Sequence, residues 1–100
     1  VNVIKGVLSE EKQRNIEMQK GYIDEINALP KGSISIKKIG SKKYCYLKYR
    51  DGNKFISKYA GSYENNFEQI KKQVEKRRHF EKILKELKLE YKMISKIVKD

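Results

Sequence analysis

From Tyr44 to Arg50, tyrosines and cations fall on every second residue, the repeat that turns side chains to one side of a strand. With their neighbours they form a set of eight: Lys37, Lys42, Tyr44, Tyr46, Lys48, Arg50, Lys54 and Lys58. Ammonium and guanidinium groups neutralise phosphates, and phenol rings stack on bases or donate to phosphate oxygens. Other candidates for chemistry are poor. His79 is the only histidine and sits in the charged run Lys76-Arg77-Arg78-His79, where solvation is its ordinary state. Cys45 falls mid-strand and is expected to act as a small hydrophobe. Asp51 suits a turn, and the pairs Glu10-Glu11 and Asp24-Glu25 suit helix surface and capping. No cluster has metal-ligand spacing and no glycine-rich loop precedes a helix. The expectation is a protein without catalytic residues, metal or cofactor.

The charge distribution points the same way. The chain carries a net charge of +11, more than solubility requires. Residues 31–63 hold nine basic groups against the single acid Asp51, a net of +8. A polyanion is the partner such a stretch attracts. Lysines on exposed strands also guard sheet edges against aggregation, but that does not account for Tyr44, Tyr46, Lys48 and Arg50 in a central strand. The basic run from Lys71-Lys72 to Lys76-Arg77-Arg78 is interleaved with glutamates and reads as solvated helix surface.

These side chains need a sheet to hold them. Residues 33–60 alternate apolar and polar positions in three runs, punctuated by Gly40-Ser41 and Asp51-Gly52-Asn53, which predicts three antiparallel strands joined by hairpins. A two-residue turn at Gly40-Ser41 sets Ile36 opposite Cys45 and Ile34 opposite Leu47. For the second hairpin, a two-residue Asp-Gly turn would put Lys54 and Lys58 on the apolar face and leave Phe55 among the lysines. A three-residue loop at 51–53 is therefore expected, with Arg50 opposite Lys54, Tyr49 opposite Phe55 and Cys45 opposite Tyr59. One face then carries Ile34, Ile36, Cys45, Leu47, Tyr49, Phe55 and Tyr59, and the other the eight candidates with Ile56.

A helix is predicted on either side. Ser9 is the expected N-cap of the first, over residues 9–28, with Glu10 and Glu11 in its first turn. Its apolar stripe is interrupted at Asn15, Gln19 and Gly21, and Pro30 with Lys31-Gly32 ends it. Residues 1–8 are either a loose tail or a short added strand. The second helix is expected over 64–98, with a heptad-like seam from Phe67 to Val98 broken at Arg77. Packed antiparallel, the first helix leaves the last four turns of the second partly uncovered. Leu87, Tyr91, Ile94 and Val98 would there meet a protein partner or a second copy of the chain, the alternative being an end that frays, bends or folds back. The fold class is α+β: helix, three-stranded antiparallel sheet, long helix, in a single domain of residues 1–100. One cysteine allows no internal disulfide, and no run approaches the ~20 apolar residues of a membrane span. With no secretory signal in residues 1–8, a cytoplasmic protein is expected.

The stretch Lys43-Tyr44-Cys45-Tyr46-Leu47-Lys48-Tyr49-Arg50-Asp51-Gly52, followed by Lys58-Tyr59 and Gly61, resembles a family of short bacterial and phage proteins that share the Leu29-Pro30-Lys31-Gly32-Ser33 lead-in. The order of three strands and a helix is also similar to the arm-type DNA-binding domain of tyrosine integrases, which lays its sheet in the major groove. This chain departs from it in having a helix in front and a much longer one behind. The resemblance implies nucleic acid, duplex DNA or structured RNA, as a partner and a mobile element or phage as the source. The alternative expectation is an anti-CRISPR-like inhibitor or antitoxin that grips a nucleic-acid enzyme or its RNA.

Overall fold

The computed structural model describes residues 3–98 and shows an α+β fold. Helix α1 spans Val3–Asn27, strands β1 (Ser33–Ile39), β2 (Lys42–Asp51) and β3 (Lys54–Ser62) follow, and helix α2 spans Tyr63–Ile97. The strands form one antiparallel sheet with β2 in the centre. The residues gather into two compact units. One runs from Leu29 to Arg78; the other joins α1 to the part of α2 from His79 onward.

In the sheet unit, the first hairpin has the expected register, with Ile34 opposite Leu47 and Ile36 opposite Cys45. The second does not. Asp51 pairs with Lys54, Arg50 with Phe55 and Tyr46 with Tyr59, so the turn is the two-residue Gly52-Asn53 and the three-residue loop is corrected. Local backbone geometry decides this. Gly52 takes φ +62 and Asn53 stays at negative φ, the pattern of a type II′ turn, whose twist matches that of the flanking strands. That gain outweighs leaving Phe55 in water.

Further along β3, Cys45 faces Gly61 while Tyr46 faces Tyr59, so Ala60 is the extra residue of a β-bulge. The bulge turns Ala60 toward the core, formed by Cys45, Leu47, Ile70 and Val74 with Ile34, Tyr63 and Phe67 packed against it. Gly61 has φ +120, and a Cβ there would lie 2.5 Å from Asn66 Nδ2. Only glycine admits that approach. Asn66 donates to the Ser62 carbonyl (3.2 Å) and lies 3.3 Å from its hydroxyl, which also accepts from the Asn65 amide (3.4 Å). Ser62 is thus the N-cap of α2, and β3 passes into the helix with no loop between. Arg77, the break in the helix seam, donates from Nη1 to the Leu29 carbonyl at 2.7 Å.

In the helix unit, α1 begins at Val3. Ser9 is therefore interior to the helix rather than its cap, and residues 3–8 are neither tail nor strand; residues 1 and 2 lie outside the described residues. The stripe that explains this runs Ile4, Leu8, Lys12, Asn15, Gln19, Tyr22, Ile26, in steps of three and four. Ile4 and Leu8 line a cleft with Ile97, Lys12 Nζ lies 5.5 Å from the Tyr91 ring centroid, and Tyr22 meets Phe80 edge-on at 5.3 Å. Rising numbers in α1 meet falling numbers in α2, so the helices are antiparallel. The polar residues that interrupt the stripe in sequence sit in the seam itself. Asn15 is buried, donates to the Leu87 carbonyl at 2.9 Å and accepts from Gln19 at 2.7 Å.

Candidate nucleic-acid interface

The side of the sheet away from the core is built from alternate residues of all three strands. β1 gives Ser33, Ser35, Lys37 and Ile39; β2 gives Lys42, Tyr44, Tyr46, Lys48 and Arg50; β3 gives Phe55, Ser57 and Tyr59. Among the described residues no strand carboxylate occupies this face, because Asp51 alternates to the other side with Leu47 and Tyr49, and Glu64 at the start of α2 borders it in a cleft with Lys42 and Tyr44. Lys37, Lys42, Lys48 and Arg50 are exposed. Four cations with no acid among them hold a positive potential over a patch two or three strands wide.

The aromatic rings on this face touch one another and the cations. Tyr59 meets Tyr46 edge-on with centroids 5.5 Å apart and lies 6.2 Å from Tyr44. Lys37 Nζ sits 4.4 Å from the Tyr46 centroid, and the Arg50 guanidinium sits 4.7 Å from that of Phe55, its partner across the strands. Cations over ring faces are held there by the ring quadrupole, which fixes where those charges stand. Tyr44 and Tyr46 are half-buried by these contacts. Tyr59 and Phe55 keep 55 % and 79 % of their surface open to water.

Six of the eight sequence candidates are therefore brought together: Lys37, Lys42, Tyr44, Tyr46, Lys48 and Arg50. Lys54 and Lys58 are not. The two-residue turn places them on the core side of β3, flanking Ile56, where they stay exposed by reaching past the edge of the sheet. In their place stand Phe55 and Tyr59, which the sequence reading assigned to the core. The signal that finds them is the Gly52-Asn53 pair, because glycine at the first central position suits a two-residue type II′ turn.

A family model described as a domain of unknown function, DUF6788, matches residues 5–72. The chain belongs to the DUF6788 family. The DUF6788 match takes in the whole sheet, so every residue of the outward face lies within it. Neither the curated proteins nor the solved structures hold a match to the chain.

Beyond the DUF6788 match lie the four residues expected to meet a protein partner. Leu87 is buried against Asn15, Val98 is fully enclosed, and Tyr91 and Ile94 are half-buried. The turn around Leu87 and Ile94 faces Glu11, Arg14 and Met18 of α1. Lys12 of α1 lies over the Tyr91 ring, so residues 11–18 of α1 border Leu87, Tyr91 and Ile94. Cys45 is completely buried, which pushes its thiol up from the ordinary value and keeps it protonated. Among the described residues there is no group of three His, Cys, Asp or Glu placed to hold a metal ion, and no helix is long and apolar enough to cross a membrane.

Proposed function

We propose that the chain is a non-catalytic module that binds nucleic acid through the outward face of its sheet. The observation that carries this is the composition of that face: Lys37, Lys42, Lys48 and Arg50 with no carboxylate between them, interleaved with Tyr44, Tyr46, Tyr59 and Phe55. Cations supply attraction to phosphates and set the salt dependence, and aromatic rings supply contacts to bases. A protein-binding patch of similar size would be expected to carry a more apolar, charge-depleted centre.

The test compares two sets of charge reversals on the same sheet. Lys37→Glu, Lys48→Glu and Arg50→Glu together should abolish retention of nucleic acid, with the thermal midpoint little changed because all three are exposed. Lys54→Glu with Lys58→Glu, on the core side of β3, should weaken retention far less. Equal losses from both sets would mean that net charge, rather than this face, is responsible. Full retention by the triple variant would overturn the reading.

A further inference from the structure

Phe55 and Tyr59 set a puzzle that phosphate attraction does not solve. Both belong to edge strand β3, both point away from the core, and they keep the most open ring surface on the outward face. A lone exposed aromatic is ordinary. Two on one basic face, each held by its neighbours, form a platform. Arg50 covers one side of the Phe55 ring, and Tyr44 with Tyr46 props Tyr59.

We propose that these rings take unpaired bases, so that the ligand of the sheet is a single strand, RNA or DNA, rather than a duplex. The inference rests on the nucleic-acid reading above and names its substrate class. A duplex offers phosphates along its backbone and base edges in its grooves, and its base planes are closed off within the stack. Phe55 has no hydrogen-bonding group for a base edge. Across the four residues that separate them, Phe55 and Tyr59 lie roughly 13 Å apart along the strand. Stacked bases in a duplex follow one another at about 3.4 Å, so rings this far apart are served together only by unstacked, non-adjacent bases of an extended strand. Lys48 and Arg50 on β2 lie alongside for its phosphates. Stacking of this kind accepts any base, because every base has a π-face.

The experiment measures fluorescence anisotropy of the full chain with labelled oligomers of about 15 nucleotides, a length that covers the usual site sizes. The probes are oligo-deoxythymidine, oligo-uridine and the oligo-deoxythymidine annealed to its complement. Both single strands should bind at least about tenfold more tightly than the duplex. Phe55→Leu with Tyr59→Leu should lower single-strand affinity about ten- to a hundredfold, the range of stacking losses, with the salt slope unchanged. Phe55→Trp should preserve binding and report a quenched indole, in a chain that has no tryptophan of its own. Duplex binding as tight as single-strand binding, or a leucine pair that binds like the parent, overturns the inference. If the triple charge reversal still abolishes binding in that case, the broader reading stands. No binding of any probe by the parent chain sinks both.

Discussion

Leu47 and Lys48 are neighbours in β2 and face opposite ways, and the two surfaces they belong to are held together differently. Leu47 is buried among Cys45, Ile70 and Val74, with Ile34 and Phe67 packed around the cluster. Its face is closed by the first half of α2, and its energy is that of apolar area removed from water. Lys48 belongs to the more exposed face, where order comes from rings leaning on rings and cations lying on rings. Such contacts contribute about 0.5–1.5 kcal/mol each, enough to fix geometry but not to hold a fold. One face makes the sheet stable. The other is free to be chosen for what it touches.

That contrast is sharpest between adjacent residues. Leu47→Ala should cost about 2–5 kcal/mol, a large share of what a domain of this size has, and shift the urea midpoint far down. Lys48→Ala should leave stability within about 0.5 kcal/mol. It should instead weaken nucleic-acid binding several-fold and reduce the salt slope by about 1. Similar stability losses at the two positions would mean that the outward face is structural after all.

A smaller effect tests the place where β3 is handed from one face to the other. Gly61→Ala forces a side chain into φ +120 and against the Asn66 amide, at a cost of about 1–3 kcal/mol. The clash displaces Asn66 from the Ser62 carbonyl that it satisfies at the start of α2. In an Asn66→Ala background the contacts with the amide nitrogen and its carbon are gone, only the Cβ at 3.2 Å remains, and the penalty should shrink toward that of the backbone. An undiminished penalty there would assign the whole effect to φ.

The two faces were not equally legible in the sequence. Alternation and the Gly40-Ser41 turn agree on the first hairpin, so Ile34, Ile36, Cys45 and Leu47 fall where a period of two puts them. In the second hairpin two signals conflict: counting apolar residues sends Phe55 inward, and the Gly52-Asn53 turn sends it outward. The turn wins because it acts over four residues of backbone, whereas Lys54 and Lys58 can extend into water from either side. Counting apolar residues fails here because the Phe55 and Tyr59 rings stay exposed on the outward face. Asn15 and Gln19 look like gaps in an apolar stripe, yet they occupy the seam, where Gln19 donates to Asn15 and Asn15 to the Leu87 carbonyl. Hydrogen bonds to a backbone carbonyl across 72 residues of chain leave no periodic trace.

Cys45 gives the smallest effect, and one confined to the closed face. Its burial raises the thiol above the ordinary 9.0, so the folded chain keeps a proton that the unfolded chain releases near that pH. Between the unfolded and folded values the unfolded state binds fewer protons, and stability falls as pH rises. The contribution is complete below 9.0 and is lost on the way up to the folded value. Cys45→Ala lowers stability at every pH by opening a void, but it removes the titrating group. Urea midpoints of the two proteins, measured from neutral pH to above 9.0, should therefore converge on the alkaline side. The rest of the chain is the same in both proteins and cancels in the difference. Parallel curves would mean that the thiol meets water, and with it that the cover α2 gives to this side of the sheet is looser than a fully enclosed sulfur requires.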